Sequence, residues 1–137
     1  MKARIRPEKE VFLLYHLGED TEKGKQLRKV LLPLGIELVD VSDQMLLETV
    51  AFCAHMDGAA STGNVYAGEP LPYELMVMKG VTRAHLNQIL DLLSKAGVKR
   101  VERKAVVTET NRSWTFLKLY QEVCREHDMM TGQTPTN

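Results

Sequence analysis

The chain is short of the residues that commit small proteins to specialised chemistry. Of its 137 residues two are cysteine, Cys53 and Cys124, one is tryptophan, and aromatics make up 6%. Two thiols cannot staple a disulfide scaffold, so a cross-linked secreted module is excluded and a reducing cytoplasm is the expected location. Apolar runs fall far short of a membrane span. No apolar stretch follows Met1-Lys2-Ala3-Arg4-Ile5-Arg6, so a secretory leader is not expected. The formal net charge is zero, without the basic excess that a nucleic-acid binder carries. A Walker A loop, a Rossmann glycine fingerprint, a Gly-x-Ser-x-Gly elbow and a His-Glu-x-x-His pair are all missing. An enzyme therefore has little direct support, and no cofactor is expected.

What is present is ordinary globular composition with an internal echo. Hydrophobic residues make up 44% and charged residues 26%, enough for one domain over residues 1–137 with a buried core. Gly18 and Gly35 are 17 residues apart, and Gly80 and Gly97 repeat that interval after a shift of 62 positions. The shift also brings Leu13 onto Leu75, Gln26 onto Gln88 and Leu31 onto Leu93. One folding unit used twice is the reading. The zero net charge conceals an opposition. Residues 13–74 hold four basic against ten acidic side chains, a balance of −6, and residues 75–112 hold eight against three, +5. Opposite signs favour docking of the halves, or self-association.

Val11 to Leu17 reads as a strand buried on both faces. Asp20 or Thr21 can cap the helix carrying Leu27, Val30, Leu31 and Leu34, which Pro33 should distort before Gly35. Ile36, Leu38 and Val41 suggest a second strand, and Met45, Leu46, Thr49, Val50 and Cys53 one side of a second helix. Residues 56–73 read as a connecting loop, with three glycines and two prolines. Then the order repeats: a strand from Leu75, Thr82 as N-cap, a helix stripe of Leu86, Ile89, Leu92, Leu93 and Ala96, a strand at Ala105-Val106-Val107, and a helix with Phe116, Leu117, Tyr120, Val123 and Cys124. Residues 1–9 and 131–137 read as a polar lead-in and tail. The expected fold class is α/β: a small α/β sandwich with a mixed sheet built from two βαβα units, residues 11–55 and 74–130. A ferredoxin-like arrangement is the alternative.

The segment from Lys104 through Val123, with Glu74-Leu75-Met76-Val77-Met78-Lys79-Gly80 before it, is distinctive. A strand is followed by Thr108, Thr110, Asn111, Arg112 and Trp114, then by a helix with Leu119, Tyr120, Glu126 and His127. This pattern resembles a small bacterial family, the Domain of Unknown Function 3783, over about the second half of the chain. The resemblance implies no activity, substrate or cofactor.

Three candidate sites follow from residue types. The first is Thr108, Thr110, Asn111, Arg112 and Trp114, at a strand-to-helix junction. There Arg112 could hold a carboxylate or phosphate, Asn111 orient it and Trp114 stack on it. Turn chemistry is the competing account, with Asn111 or Ser113 capping the helix and Trp114 packed on the sheet. The second is metal binding by Cys53, His55 and Asp57 with Cys124 and His127, disfavoured because each cysteine sits on an apolar helix face. The third is the basic run Lys99, Arg100, Arg103 and Lys104, with Lys79 and Arg83, as a phosphate-backbone contact, disfavoured by the overall charge. The leading expectation is a small cytoplasmic binding or regulatory module, its junction taking an anionic ligand or a protein partner. A small enzyme anchoring an anionic substrate on Arg112 is the alternative.

Overall fold

The two uninterrupted apolar runs become the two central strands of one sheet. The computed structural model describes residues 8–131; most of the lead-in and all but Thr131 of the tail lie outside them. β1 (Val11–Tyr15) and β3 (Leu75–Lys79) pair antiparallel, Val11 opposite Lys79 and Tyr15 opposite Leu75. β2 (Glu37–Val41) runs parallel beside β1, and β4 (Lys104–Val106) parallel beside β3, giving the order β2-β1-β3-β4. α1 (Glu22–Leu31) and α3 (Arg83–Lys95) contribute to the core on one face of the sheet. α2 (Val50–Cys53) and α4 (Phe116–Met130) contribute to the core on the other.

Helices on both faces explain why β1 has no polar alternation. Val11, Leu13 and Tyr15 enter the core under α4, while Phe12 and Leu14 enter the core under α1 and α3. The fold is thus a small α/β structure with a mixed sheet. A ferredoxin-like half would stop after βαβ, whereas α2 follows β2 and α4 follows β4.

Helix starts follow the cap residues. Thr21, Thr82 and Thr115 each accept a backbone N–H of their own first turn, from Gly24, His85 and Lys118. Pro33 does convert the end of α1, into a 3-10 turn over Leu32–Leu34 that Gly35 closes at φ +79°. In α3 the 3.6-residue period puts Ile89 and Leu93 on the sheet and turns Leu92 and Ala96 outward.

Three local expectations change. The helix expected through Met45–Cys53 is broken: a 3-10 turn covers Asp43–Leu47, Glu48 and Thr49 are extended, and only Val50–Cys53 is α-helical. The cause is a contact with the start of α4. Val50 N–H donates to Trp114 O and Phe116 N–H to Glu48 O, both at 2.9 Å, so the chain must extend there. Likewise α4 is capped by Thr115, not by Asn111 or Ser113, which form their own 3-10 turn. The Asn111–Trp114 junction therefore has a counterpart in the first half, a 3-10 turn, an extended residue and a capping threonine. Finally, Gly35 and Gly97 do occupy equivalent helix ends (φ +79° and +78°), but Gly18 and Gly80 do not match. Gly80 directly follows β3 at φ +80°, and the residue directly after β1 is His16, at φ +59°.

Candidate functional site

The junction after β4 is locked from inside. Asn111 is buried; its carbonyl accepts Thr108 N–H at 2.8 Å and its amide donates to Val106 O at 3.0 Å. Its own N–H donates to Thr108 Oγ1 at 3.0 Å. These bonds hold a turn and commit both polar side-chain atoms of Asn111 to it. Trp114 is half-buried against the α2–α4 core, with the Lys118 ammonium 4.5 Å from its ring centroid. Thr110 is exposed, and its carbonyl accepts Ser113 Oγ.

Arg112 and Thr108 face elsewhere. Both line an open cleft of about 1010 Å3 at the carboxyl ends of β3 and β4. Lys79, Gly80, Thr82 and His85 contribute to the same cleft from the end of β3 and the start of α3. Besides Lys9, which pairs with Glu37 at 2.6 Å, three cationic or ionisable bases share it, each met by one carboxylate. Lys79 Nζ lies 2.8 Å from Glu8, His85 Nδ1 bonds Glu10, and Arg112 Nη1 is 3.7 Å from Glu109. The last separation exceeds a hydrogen bond, and Glu109 is 94% exposed, so Arg112 is the loosest of the three. Of the five residues expected at this site, the structure brings Thr108 and Arg112 to the cleft, places Asn111 in the turn, and leaves Thr110 and Trp114 off the lining.

Residues 74–130 match the family model described as Domain of unknown function (DUF3783). The DUF3783 match takes in β3, α3, β4, the junction and α4, and so most of the cleft; Glu8, Lys9, Glu10, Gly35 and Met56 lie outside it. No curated protein and no solved structure gives a significant match.

Sequence reasoning named Lys79 only as part of a basic run and missed Thr82 and His85. The available signal was the strand-Gly-x-Thr pattern of Leu75–Thr82, which places helix amides at the end of a strand.

The corresponding position after β1 and β2 holds a smaller cleft, about 380 Å3, with a mainly acidic lining. Glu19, Asp20, Asp40 and Asp43 line it, and Arg28 reaches Asp40 at 2.5 Å and Glu19 at 3.7 Å. The Tyr15 hydroxyl donates to Asp43 and accepts Leu71 N–H, tying the 56–73 loop to β1. Burial, reinforced by Asp43, pushes this phenol above the ordinary tyrosine range.

The other candidates disperse. His55 pairs with Glu37 at 2.9 Å rather than joining Cys53, whose thiol burial pushes up to about 12. Among the described residues no three of His, Cys, Asp and Glu come together as a metal site. Arg103 leaves the basic run: its guanidinium lies 3.7 Å from the Tyr73 ring centroid, while Lys99, Arg100 and Lys104 stay together and Lys104 Nζ donates to Val101 O at 2.5 Å. No described helix is long and apolar enough to cross a membrane.

Proposed function

We propose that this protein is a small binding module that takes an anionic ligand in the cleft beside β3 and β4, with Arg112 as its anchor. The observation that carries this reading is the convergence of Arg112, Lys79 and His85 on one open cleft at the carboxyl ends of two parallel strands and the start of α3. Ligands of open α/β sheets gather at that edge, where helix amides add to the positive field. Glu109 can swing away at little cost because surface ion pairs contribute about 0–1 kcal/mol. A carboxylate or phosphate would replace it in a bidentate pair with the guanidinium.

In this reading the two βαβα halves are copies of one unit, and only the second lines its cleft with lysine and arginine. Two unbridged thiols favour the cytoplasm, and the opposite charges of the halves favour self-association. Nucleic acid is a poor fit because the overall charge is zero and Arg103 is drawn away from the basic run to Tyr73.

Inorganic phosphate and citrate are suitable probes. Amide chemical shifts should move at Gly80–His85 and Thr108–Arg112, saturably, and Arg112→Ala should abolish the movement with an unchanged melting temperature. Shifts scattered over the surface, or the same shifts in Arg112→Ala, would sink the reading.

One observation favours the enzyme alternative: His85 is bonded to Glu10 within the same cleft, a base oriented by a carboxylate. An enzyme would need that pair intact, so Glu10→Gln should then abolish turnover of a bound carboxylate or phosphate ester. For a pure binder it would leave ligand affinity the same or tighter.

A further inference from the structure

We propose that a second pocket, between α3 and the chain entering β4, binds a small amphipathic carboxylate. β4 is a three-residue edge strand, and the chain from Gly97 to Arg103 that leads into it passes α1, where Lys23 Nζ donates to Arg100 O at 2.9 Å. A space of about 350 Å3 remains, floored by the fully buried Leu27 and Met76 and walled by Leu90, Val98 and Val101. That volume lies at the small end of ligand sites, roughly 300–1,000 Å3.

Its rim is cationic. Lys99, Arg100 and Lys104 all border it. Among the described residues none of these three has a carboxylate within ion-pair distance, whereas Lys79, Arg28 and Arg112 each face one. Lys104 is the innermost. Desolvation, then the like charges of Arg100 and Lys23, hold its ammonium below the usual lysine range, and Glu102 only partly opposes them. Lys104 spends one donor on Val101 O and keeps two. Like charges gathered at the mouth of an apolar pocket are relieved by an anion, and a lining of leucine, methionine and valine takes an apolar tail. The shared demand is one head of negative charge on one hydrocarbon body. Phosphate backbones satisfy only the first half of it.

Decanoate is the probe, with decanol as its uncharged partner, on the full chain below the micellar range. Calorimetry and methyl NMR should show saturable one-to-one binding that moves Leu90 and Val98, with decanol about tenfold weaker or worse, as for loss of a charge-assisted contact. Arg100→Gln and Lys104→Gln should each weaken decanoate by a similar factor. Neither change touches the apolar floor; Arg100→Gln is a surface change, whereas Lys104→Gln also removes the bond to Val101 O, and Leu90→Trp should occlude the pocket. Arg112→Ala should leave decanoate binding unaltered, which separates this pocket from the cleft. Equal binding of decanol, unchanged affinity in both charge variants, or shifts confined to the Lys79–Arg112 cleft would each overturn the proposal.

Discussion

Thr49 and Thr115 face each other across an isolated antiparallel bridge, and each caps the helix that starts after it. Thr49 Oγ1 accepts Phe52 N–H and Thr115 Oγ1 accepts Lys118 N–H, both at 3.1 Å. The two helix starts are thus tied by backbone bonds and by side chains that stop each helix from extending backward. Removing one cap should cost about 1 kcal/mol, lowering the melting temperature by about 3 °C. Because the residues touch, a double-mutant cycle of Thr49→Ala and Thr115→Ala should show coupling of about 0.5 kcal/mol or more. Strict additivity in urea denaturation would mean that the two ends act separately.

Gly24→Ala should destabilise, against the usual trend. In an open helix this change gains up to about 1 kcal/mol. Here α1 begins against the preceding turn, and a methyl on Gly24 would overlap the carbonyl oxygens of Leu17 and Gly18. Both are backbone atoms, so relief requires α1 to move off the sheet. A loss of about 2 kcal/mol is expected from overpacking. A raised denaturation midpoint would refute the close approach.

Asn111→Ala and Arg112→Ala should separate turn from cleft. The first leaves Thr108 N–H and Val106 O without their partner and should cost about 2 kcal/mol. The second removes a half-exposed side chain with one loose ion pair and should stay within about 0.5 kcal/mol. Equal losses for both, measured by thermal denaturation, would make Arg112 part of the scaffold.

Acid should loosen the 56–73 loop through Glu48. The Ser61 hydroxyl first, then Thr62 N–H, hold this carboxyl below its usual range. A depressed folded value means that the contribution is present above the unfolded value, near 4.5, and is lost as pH falls through the lower folded value. Amide exchange at Thr62 and nearby residues should therefore accelerate below about pH 4 beyond its intrinsic rate. Glu37 is depressed in the same window by Lys9 first and His55 second, but it does not touch the loop. Glu48→Gln should accordingly loosen Thr62 already at neutral pH and flatten its acid response. An unchanged acid profile in Glu48→Gln would assign the effect elsewhere.

The elements were largely legible because their causes are local. Val11–Tyr15 and Leu75–Met78 are apolar runs, Thr21 and Thr82 are cap residues ahead of apolar stripes, and Pro33 with Gly35 ends a helix. The α2 region was not legible, since Met45–Cys53 has helical spacing and is broken only by its pairing with Trp114 and Phe116. The junction was half legible. Residue types at Thr108–Trp114 fit both a turn and a ligand site, and the backbone decided between them one residue at a time. Asn111 turned inward to Val106 and Arg112 outward to the cleft.

By itself the sequence determined which segments are strands, where α1 and α3 begin, and that the two halves carry opposite charge. Those properties depend on neighbours within a few residues and on side-chain period. Tertiary structure decided which charges meet. Glu10 and His85 are 75 residues apart, and Tyr15 meets Leu71 across 56. It also decided that Gly24 has no room for a methyl and that Arg103 leaves the basic run for the Tyr73 ring. Each of these depends on distances set when the helices pack onto the sheet, and no local pattern in the chain encodes them.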